Sequence, residues 1–412
     1  MDETIEVRVG NLVYGGDAIG RLPDGRAVFV PFAIPGEMVR LRLMEEKARF
    51  TRAELVEVIE PSPMRISARC CHFSLCGGCH YQHLSYSDQL TAKSAILREQ
   101  LERLGGFINL PPVEIASTPE PIWNYRNHVQ FHLSSEGKLG FQKAHSNQTF
   151  PIVECHLPET SINQIWPQID IEPIPGLERI SVRSGWEDEM MLVLECSVPQ
   201  PLDFSIQNLA ISVVQRNPSG NLVLAGSDHL FMEVSGRQFR VSSSSFFQVN
   251  TLQATAMVKH IMAYPPIKDA KMVVDVYCGV GLFSAFLASK AKQLVGIELS
   301  AEACDDFTIN LDEFENVSLY EAPAEDVLSN INFNPDVIVV DPPREGLGRK
   351  TVDGILSQGT SHLIYVSCDP ATLARDAKRL ASGGYTLVKI ALFDLFPQTF
   401  HIESISYWEK NK

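Results

Sequence analysis

The sequence predicts an α/β protein in which a small N-terminal β-barrel and a β-rich central α/β domain precede a C-terminal Rossmann-like sheet of seven strands. Three observations support this fold class. The 412 residues, 45% of them hydrophobic, exceed what one ordinary core accommodates. The first sixty residues contain short runs with alternating apolar and polar positions. From about residue 250, strand-like runs alternate with helical segments. The predicted domains span residues 1–60, 61–240 and 241–412.

The N-terminal runs IEVRV, AVFVPF, EMVRLRLM and AELVEVIE are separated by the turns YGGDAIG, LPDGR and IPGE. This spacing favours a closed barrel of the oligonucleotide-binding type over another five-stranded module. The formal net charge of −15 argues against a nucleic-acid partner, because phosphate contacts draw on Lys and Arg. However, the segment from Met38 to Arg52 holds five basic and two acidic residues, which predicts a local basic face.

The nine cysteines are distributed unevenly, and four of them fall between residues 70 and 79. In a chain without a recognisable export signal, such clustering favours a metal or catalytic role over disulfides. The run CCHFSLCGGC offers Cys70 or Cys71, then Cys76 and Cys79, and Cys155 is the best distant fourth ligand. Spacing alone leaves zinc and an iron–sulfur cluster open, since a zinc site could be completed by His72, His80 or His83.

The segment that follows the cysteines, YSDQLTAKSAILREQLERLGG, predicts a helix over about residues 85–106 that packs on the C-terminal domain. Strand-like runs such as HVQFHLS, ERISVRSG and EMMLVLECSV then fill the central region. The C-terminal strands are predicted at MVVDVYC, QLVGIEL, VSLY, DVIVVD, HLIYVSC, TLVKIALFDLF and ISYWE. No helix separates the last two, which predicts an antiparallel edge.

The segment DVYCGVGLF turns the first of these strands into a helix, and its glycines allow a ligand to approach the backbone. Glu298 ends the second strand, about twenty residues downstream, where a carboxylate can accept hydrogen bonds from ribose hydroxyls. The G-x-G-x-x-G pattern of dinucleotide enzymes is absent. The turn therefore favours adenosylmethionine as the ligand.

Two further strands end in residues suited to chemistry at the same edge of the sheet. The fourth strand leads into DPPREG, with Asp341 at its end, and the fifth leads into SCDP, with Cys368 one residue beyond the strand. A thiolate there can add to carbon 6 of uracil and so activate carbon 5 for methylation. Glu403, just before the last strand, is the best candidate for the base that removes the proton from carbon 5. Taken singly, Cys368 could equally be an inert thiol and Glu403 a solvated carboxylate.

The CGG-containing cysteine run, FFQVN, DPPR and SCDP follow one another along the chain in this order. With these four motifs, the chain resembles the RNA 5-methyluridine methyltransferase family over almost its whole length. The resemblance implies a TRAM domain at the N-terminus, a central iron–sulfur domain, and an enzyme that acts on structured ribosomal or transfer RNA. Because the sequence shows no apolar run long enough to span a membrane and no signal-peptide pattern, we expect a cytoplasmic protein, and we expect it to be a monomer. It implies a [4Fe-4S] cluster on Cys70, Cys76, Cys79 and Cys155, with Cys71 as a competing ligand. It assigns adenosylmethionine contacts to Gln248, Tyr277, Glu298, Glu325 and Asp341, and it makes Cys368 the nucleophile and Glu403 the general base.

Departures from the family pattern are few. Leu282 replaces a polar residue beside the cofactor, SCDP replaces the commoner SCNP, and in NYRNHVQF His128 replaces a Lys or Arg; an RNA contact by that segment is a hypothesis. Two alternatives compete with uracil methylation. An RNA cytosine carbon-5 methyltransferase would place a cysteine where Arg344 follows the two prolines, and a non-catalytic iron–sulfur RNA-binding protein would not need both Cys368 and Glu403.

Overall fold

The computed structural model describes residues 4–116, 120–134, 136–169, 175–200 and 210–411. Its first five strands close into the predicted barrel, in the order β1-β2-β3-β5-β4. Side chains alternate along each strand, so that residues such as Val7, Val28 and Val39 fill the interior. The barrel strands are β1 (Thr4–Leu12), β2 (Ala18–Arg21), β3 (Ala27–Val30), β4 (Met38–Glu46) and β5 (Phe50–Glu60).

The predicted basic face of the barrel is largely neutralised. Arg40 pairs with Glu6 and Glu57, and Arg42 pairs with Glu54 at 2.9 Å. These carboxylates belong to the neighbouring strands β1 and β5. They lie outside the segment from Met38 to Arg52, so the charge balance of that segment did not include them. Exposed pairs of this kind contribute little to stability, but they remove the local surplus of positive charge.

The central region forms a seven-stranded sheet in the order β13-β12-β11-β10-β7-β8-β9. Neighbouring strands are antiparallel except β11 and β12, which are parallel. One face carries an apolar core around Phe131, Ile180 and Val182. The elements are β7 (His128–Leu133), β8 (Leu139–Gln142), β9 (Thr149–Pro151), α2 (Thr160–Ile165), β10 (Leu177–Ser184), β11 (Met190–Cys196), β12 (Ser212–Asn217) and β13 (Gly220–Ala225).

The C-terminal sheet has eight strands, in the order β18-β17-β16-β19-β20-β22-β21-β6. Its central strands are buried along nearly their whole length because helices cover both faces of the sheet. The strands are β6 (Val113–Ile115), β16 (Met272–Val276), β17 (Gln293–Glu298), β18 (Val317–Glu321), β19 (Val337–Val340), β20 (His362–Ser367), β21 (Tyr385–Phe393) and β22 (Glu403–Lys410). The helices are α3 (Thr251–Met262), α4 (Pro265–Lys268), α5 (Leu282–Ala288), α6 (Ala301–Asn310), α7 (Ala324–Asn330), α8 (Arg349–Ser357) and α9 (Pro370–Ser382).

The seven predicted C-terminal strands are all present, but the last two do not form the edge. Strand β22 lies between β20 and β21 and is antiparallel to both. The edge strand is β6, which pairs in parallel with β21. Because β6 comes from residues 113–115, it could not be found from the C-terminal pattern alone.

Helix α1 (Tyr86–Arg103) also belongs to this part of the structure. Ser85 caps its N-terminus by accepting the Asp88 N–H, and α1 packs against α9, as the sequence predicted. The hairpin of β14 (His229–Val234) and β15 (Arg237–Ser242) shares a core with α3 and α5. A boundary at residue 240 therefore divides one continuous core. Among the residues described, no helix is long and apolar enough to span a membrane.

Candidate active site at the carboxyl edge of the sheet

The antiparallel pairing of β20 and β22 brings Cys368 and Glu403 together. Ser367 is opposite Ser404 in the register. Cys368 directly follows Ser367, and Glu403 directly precedes Ser404, so the two residues come together where the ladder ends, close enough for the charge of Glu403 to act on the thiol. Glu403 is 3% exposed, whereas Cys368 is partly exposed. This pair joins a buried carboxyl group to a thiol that an outside molecule can reach.

The glycine turn after β16 adopts left-handed backbone conformations at Tyr277, Gly279 and Gly281, with φ of 63°, 54° and 92°. A Cβ at Gly281 would lie 2.4 Å from the side chain of Leu311, so only glycine fits there. The space over Gly279 is open. The backbone of the turn is therefore accessible at Gly279.

Glu298 is fixed beside this turn. One carboxylate oxygen accepts the Gly279 N–H at 2.9 Å, and the other accepts the N–H groups of Leu299 at 2.8 Å and Ser300 at 2.9 Å. Glu325, in the first turn of α7, lies close enough to Tyr277 for its charge to raise the pKa of that hydroxyl, although burial contributes more. Leu282 begins α5 and is buried in the apolar core.

Gln248 is held by a residue that sequence reasoning did not assign. The side-chain amide of Asn127 donates to the Gln248 carbonyl at 3.0 Å, and the Asn127 N–H donates to the Val249 carbonyl at 2.9 Å. Asn127 is 2% exposed. The NYRN segment, for which an RNA contact was suggested, therefore supports the FFQVN loop from beneath through this asparagine. His128 is largely buried, and burial and the cation of Arg183 lower its pKa to about 3.

The site carries an excess of carboxyl groups. Burial raises the pKa of Asp275 to about 7, against a hydrogen bond from Ser284 at 2.5 Å that lowers it. Burial and the nearby Asp275 raise the pKa of Asp341 to about 8. Burial and Asp341 raise the pKa of Glu403 well above its usual value, and Arg344 acts in the opposite direction. This group of carboxyl groups attracts a cation, because a positive charge stabilises each ionised carboxylate.

The same groups act on the nucleophile candidate. Burial, then the charges of Glu403 and Asp341, raise the pKa of the Cys368 thiol to about 12, and Arg344 lowers it. Burial and these carboxyl groups therefore favour the protonated thiol. A cation bound at this edge would offset the carboxylates and favour the thiolate.

The second candidate site is a cavity of about 620 Å³ between the cysteine loop and the central sheet. Cys70, Cys76, Cys79 and Cys155 all line it. Each of these four thiols lies close enough to the other three for their charges to interact. Cys71 does not line the cavity; it is exposed, and its N–H donates to Glu154 at 2.6 Å.

Of the three histidines considered as zinc ligands, only His72 lines this cavity. His80 packs on Phe400, with ring centroids 4.6 Å apart, and His83 is buried against Phe73. Within the described ranges, no three His, Cys, Asp or Glu side chains converge closely enough to hold a single metal ion. The predicted metal residues thus share a cavity without forming a compact single-ion site.

Comparison with known proteins identifies the family. The profile of the family described as tRNA (Uracil-5-)-methyltransferase matches residues 200–411, and the TRAM domain profile matches residues 2–56. The chain belongs to the tRNA (uracil-5-)-methyltransferase family. It is thus an RNA (uracil-5-)-methyltransferase with an N-terminal TRAM domain, and the family predicted from the four motifs is confirmed.

Curated relatives extend over the whole chain. A protein of Aquifex aeolicus named "Uncharacterized RNA methyltransferase" is 35% identical in an alignment 426 positions long, gaps included, that covers 99% of each chain. A protein of the same name from Streptomyces avermitilis is 33% identical in an alignment 431 positions long, which again covers 99% of each. The crystal structure of the Pyrococcus abyssi tRNA (uracil-54, C5)-methyltransferase with S-adenosyl-L-homocysteine superposes with a TM-score of 0.75 at 22% identity, covering 98% of this chain and 100% of that one. This last likeness confirms the predicted α/β fold.

Proposed function

We propose that this protein methylates carbon 5 of a uridine in structured ribosomal or transfer RNA, with S-adenosylmethionine as methyl donor, Cys368 as covalent nucleophile and Glu403 as general base. The observation that supports the proposal is the register of β20 and β22, which ends at the pair Ser367 and Ser404 and so brings the adjoining residues Cys368 and Glu403 together. The neighbouring strand ends supply the glycine turn and Asp341. Thiol, base and ligand turn therefore occupy one edge of the sheet.

The residues at this edge fit S-adenosylmethionine. The open backbone at Gly279 admits a ligand, and the Glu298 carboxylate, held by three N–H groups, can accept hydrogen bonds from ribose hydroxyls. We assign Gln248, Tyr277, Glu325 and Asp341 to the same ligand. The excess of carboxyl groups favours a sulfonium cation over the neutral thioether product. When bound, this donor supplies the methyl group that carbon 5 accepts.

The chain itself supplies the nucleophile and the base. The Cys368 thiolate adds to carbon 6 of the uracil, which places the electron pair of the C5–C6 double bond on an enolate that can attack an electrophile through carbon 5. After methylation, the Glu403 carboxylate removes the proton on carbon 5. The C6–S bond then breaks, which restores the double bond and the thiolate. Because Glu403 is buried and near Asp341, its raised pKa makes it a stronger base than a surface carboxylate.

The uridine must leave its base stack to reach Cys368, since carbon 6 is inaccessible in a paired helix. RNA shape, read by the barrel and the central domain, would select the site. A single chain contains every group that the reaction requires, so the proposal needs no second copy. The cytosine alternative is less well supported, because Arg344 stands where such enzymes carry a cysteine.

A covalent trap tests this mechanism. RNA containing 5-fluorouridine, incubated with the protein and S-adenosylmethionine, should give an adduct that survives a denaturing gel, because fluorine at carbon 5 cannot leave as a proton. Cys368→Ala should abolish the adduct, whereas Cys196→Ala, which removes a buried cysteine of the central sheet, should not. Glu403→Gln should accumulate the adduct even with ordinary uridine. Equal adduct in Cys368→Ala and wild type would refute the mechanism.

The RNA target is a separate measurement. Mapping 5-methyluridine in ribosomal and transfer RNA from a strain lacking the gene, with and without a plasmid copy, should show one site that loses and regains the methyl group. Complementation with Cys368→Ala should leave that site unmodified. Loss of 5-methylcytidine instead of 5-methyluridine would favour the cytosine alternative.

We also propose that Cys70, Cys76, Cys79 and Cys155 hold a [4Fe-4S] cluster. Support comes from their shared cavity and the mutual proximity of all four thiols. A tetrahedral zinc ion, with Zn–S bonds of about 2.3 Å, draws its sulfurs to about 4 Å of one another, whereas a cluster needs a wider arrangement. Such a cluster would cross-link the cysteine loop to the central sheet.

Metal analysis after anaerobic purification tests the cluster. We expect about four irons per chain and a brown colour with absorbance near 400 nm. Cys79→Ala should lose most of the iron, and Cys71→Ala should retain it because Cys71 is exposed outside the cavity. Stoichiometric zinc in a colourless preparation would contradict the assignment.

A further inference from the structure

A tyrosine of the TRAM barrel reaches the turn that carries Cys368. Tyr14 lies in the connection between β1 and β2, which is closed by the Val13 N–H donating to the Asp17 carbonyl at 2.9 Å. The Tyr14 hydroxyl donates to Oδ2 of Asp369 at 2.6 Å. Its ring meets Phe400 edge to face, with centroids 5.8 Å apart. The barrel therefore contacts both the nucleophile's turn and the loop that precedes Glu403.

Asp369 directly follows Cys368 and fixes the turn through both carboxylate oxygens. Its Oδ1 caps α9 by accepting the N–H groups of Ala371 and Thr372, each at 2.9 Å, which leaves Oδ2 for Tyr14. On the other side of the cysteine, the Ser367 hydroxyl donates to the Asp369 carbonyl at 3.1 Å. Cys368 is thus held between two anchored residues.

Charged groups from several elements face the thiol. Glu403 from β22, Asp341 from the end of β19, and Asp369 at the start of α9 are acidic, while Arg344 is basic. Asp369 is the acidic group that adjoins the cysteine along the chain. When a phenol hydroxyl donates a hydrogen bond to a carboxylate, it draws the negative charge of the carboxylate toward the phenol. Here that donor belongs to another domain.

We propose that Tyr14 is a positioning residue for the nucleophile: it holds the Asp369 carboxylate toward the barrel and so limits the negative charge that Cys368 experiences. This inference rests on the proposed role of Cys368. It makes full reactivity depend on a docked barrel, because the donor is lost when the barrel moves away. The pairing of Tyr14 with Asp369 also explains how this chain accommodates an acidic residue beside its nucleophile.

The test measures the single-turnover rate of adduct formation with 5-fluorouridine RNA as a function of pH, at saturating RNA and S-adenosylmethionine. Tyr14→Phe should move the rising limb of the curve to higher pH by about half a unit, which is about a threefold lower rate at a fixed pH below the plateau. Asp369→Asn should move it to lower pH while keeping the α9 cap. In the Asp369→Asn background, Tyr14→Phe should have no further effect on the midpoint.

Tyr385→Phe is the matched control. It also removes a tyrosine hydrogen bond, to the Thr360 carbonyl at 2.7 Å, but at the opposite end of the sheet, and its curve should coincide with wild type. A Tyr14→Phe curve that coincides with wild type, that falls in height without moving, or that moves equally in the Asp369→Asn background would overturn the inference. Absence of any adduct in wild type would instead refute the proposed function.

Discussion

The buried ion pair between Lys93 and Asp394 should make a large contribution to the order of the loop that precedes Glu403. Lys93 Nζ lies 2.7 Å from Asp394 Oδ1 and 3.1 Å from the Phe396 carbonyl oxygen, and both side chains are 0% exposed. Lys93→Met preserves the volume but leaves Asp394 without its partner. Removing one member of a buried pair costs about 3–5 kcal/mol, because the remaining charge stays out of water.

Hydrogen exchange followed by mass spectrometry measures this cost where it acts. A loss of about 3–5 kcal/mol corresponds to a local opening constant raised about 150-fold to 5,000-fold, seen as faster exchange in residues 394–402. Arg98→Met is the matched control on the same helix, since its pair with Glu102 at 3.3 Å is exposed. Such surface pairs contribute less than about 1 kcal/mol. Equal exchange rates in Lys93→Met and Arg98→Met would refute the reasoning. So would a double variant, Lys93→Met/Asp394→Leu, in which residues 394–402 are no better protected than in Lys93→Met.

Three other predictions follow. The pKa of Asp341 is raised to about 8, so its contribution to stability is fully present below about pH 4 and is lost as the pH rises through 8. Asp341→Asn, which cannot ionise, should therefore raise Tm more at pH 8 than at pH 5. Gly281→Ala should destabilise the protein by about 2–4 kcal/mol in urea titrations, given φ of 92° and the close Leu311 side chain. Asn127→Ala should weaken S-adenosylmethionine binding in calorimetry, whereas the exposed Asn221→Ala should not.

The sequence predicted what depends on local pattern. Alternation of apolar and polar positions is sufficient to predict the barrel strands, because one face of each strand is buried and the other exposed. The C-terminal strands are instead short, mostly apolar runs between helical segments, as expected for strands buried on both faces. Helix α1 followed from its periodicity and its glycine stop. The position of Cys368 at a strand end was likewise readable, since it depends only on where β20 stops.

What the sequence did not predict depends on pairing between distant segments. Cys368 and Glu403 come together because β22 pairs with β20 inside the sheet, and no local signal in the sequence shows that β22 inserts there. Lys93 and Asp394 are 301 residues apart. One signal was nevertheless present: Lys93 lies on the same helical face as Ile96, Leu97 and Leu101, where a lysine needs a buried partner.

The loop from residue 394 to 402 contacts the barrel, the cysteine loop and the central region, and it leads to the edge of the sheet that carries Cys368 and Glu403. Its Gln398 carbonyl accepts the N–H groups of His80 and Tyr81 at 2.9 and 3.0 Å, next to the cysteine loop. The Tyr125 hydroxyl donates to the Pro397 carbonyl at 3.1 Å. Phe400 contacts Tyr14 of the barrel. Since this loop leads directly into Glu403, the segments proposed to read RNA and the segment proposed to hold the cluster meet next to the proposed base. Displacement of any of these segments would therefore change the contacts of the loop that leads into Glu403.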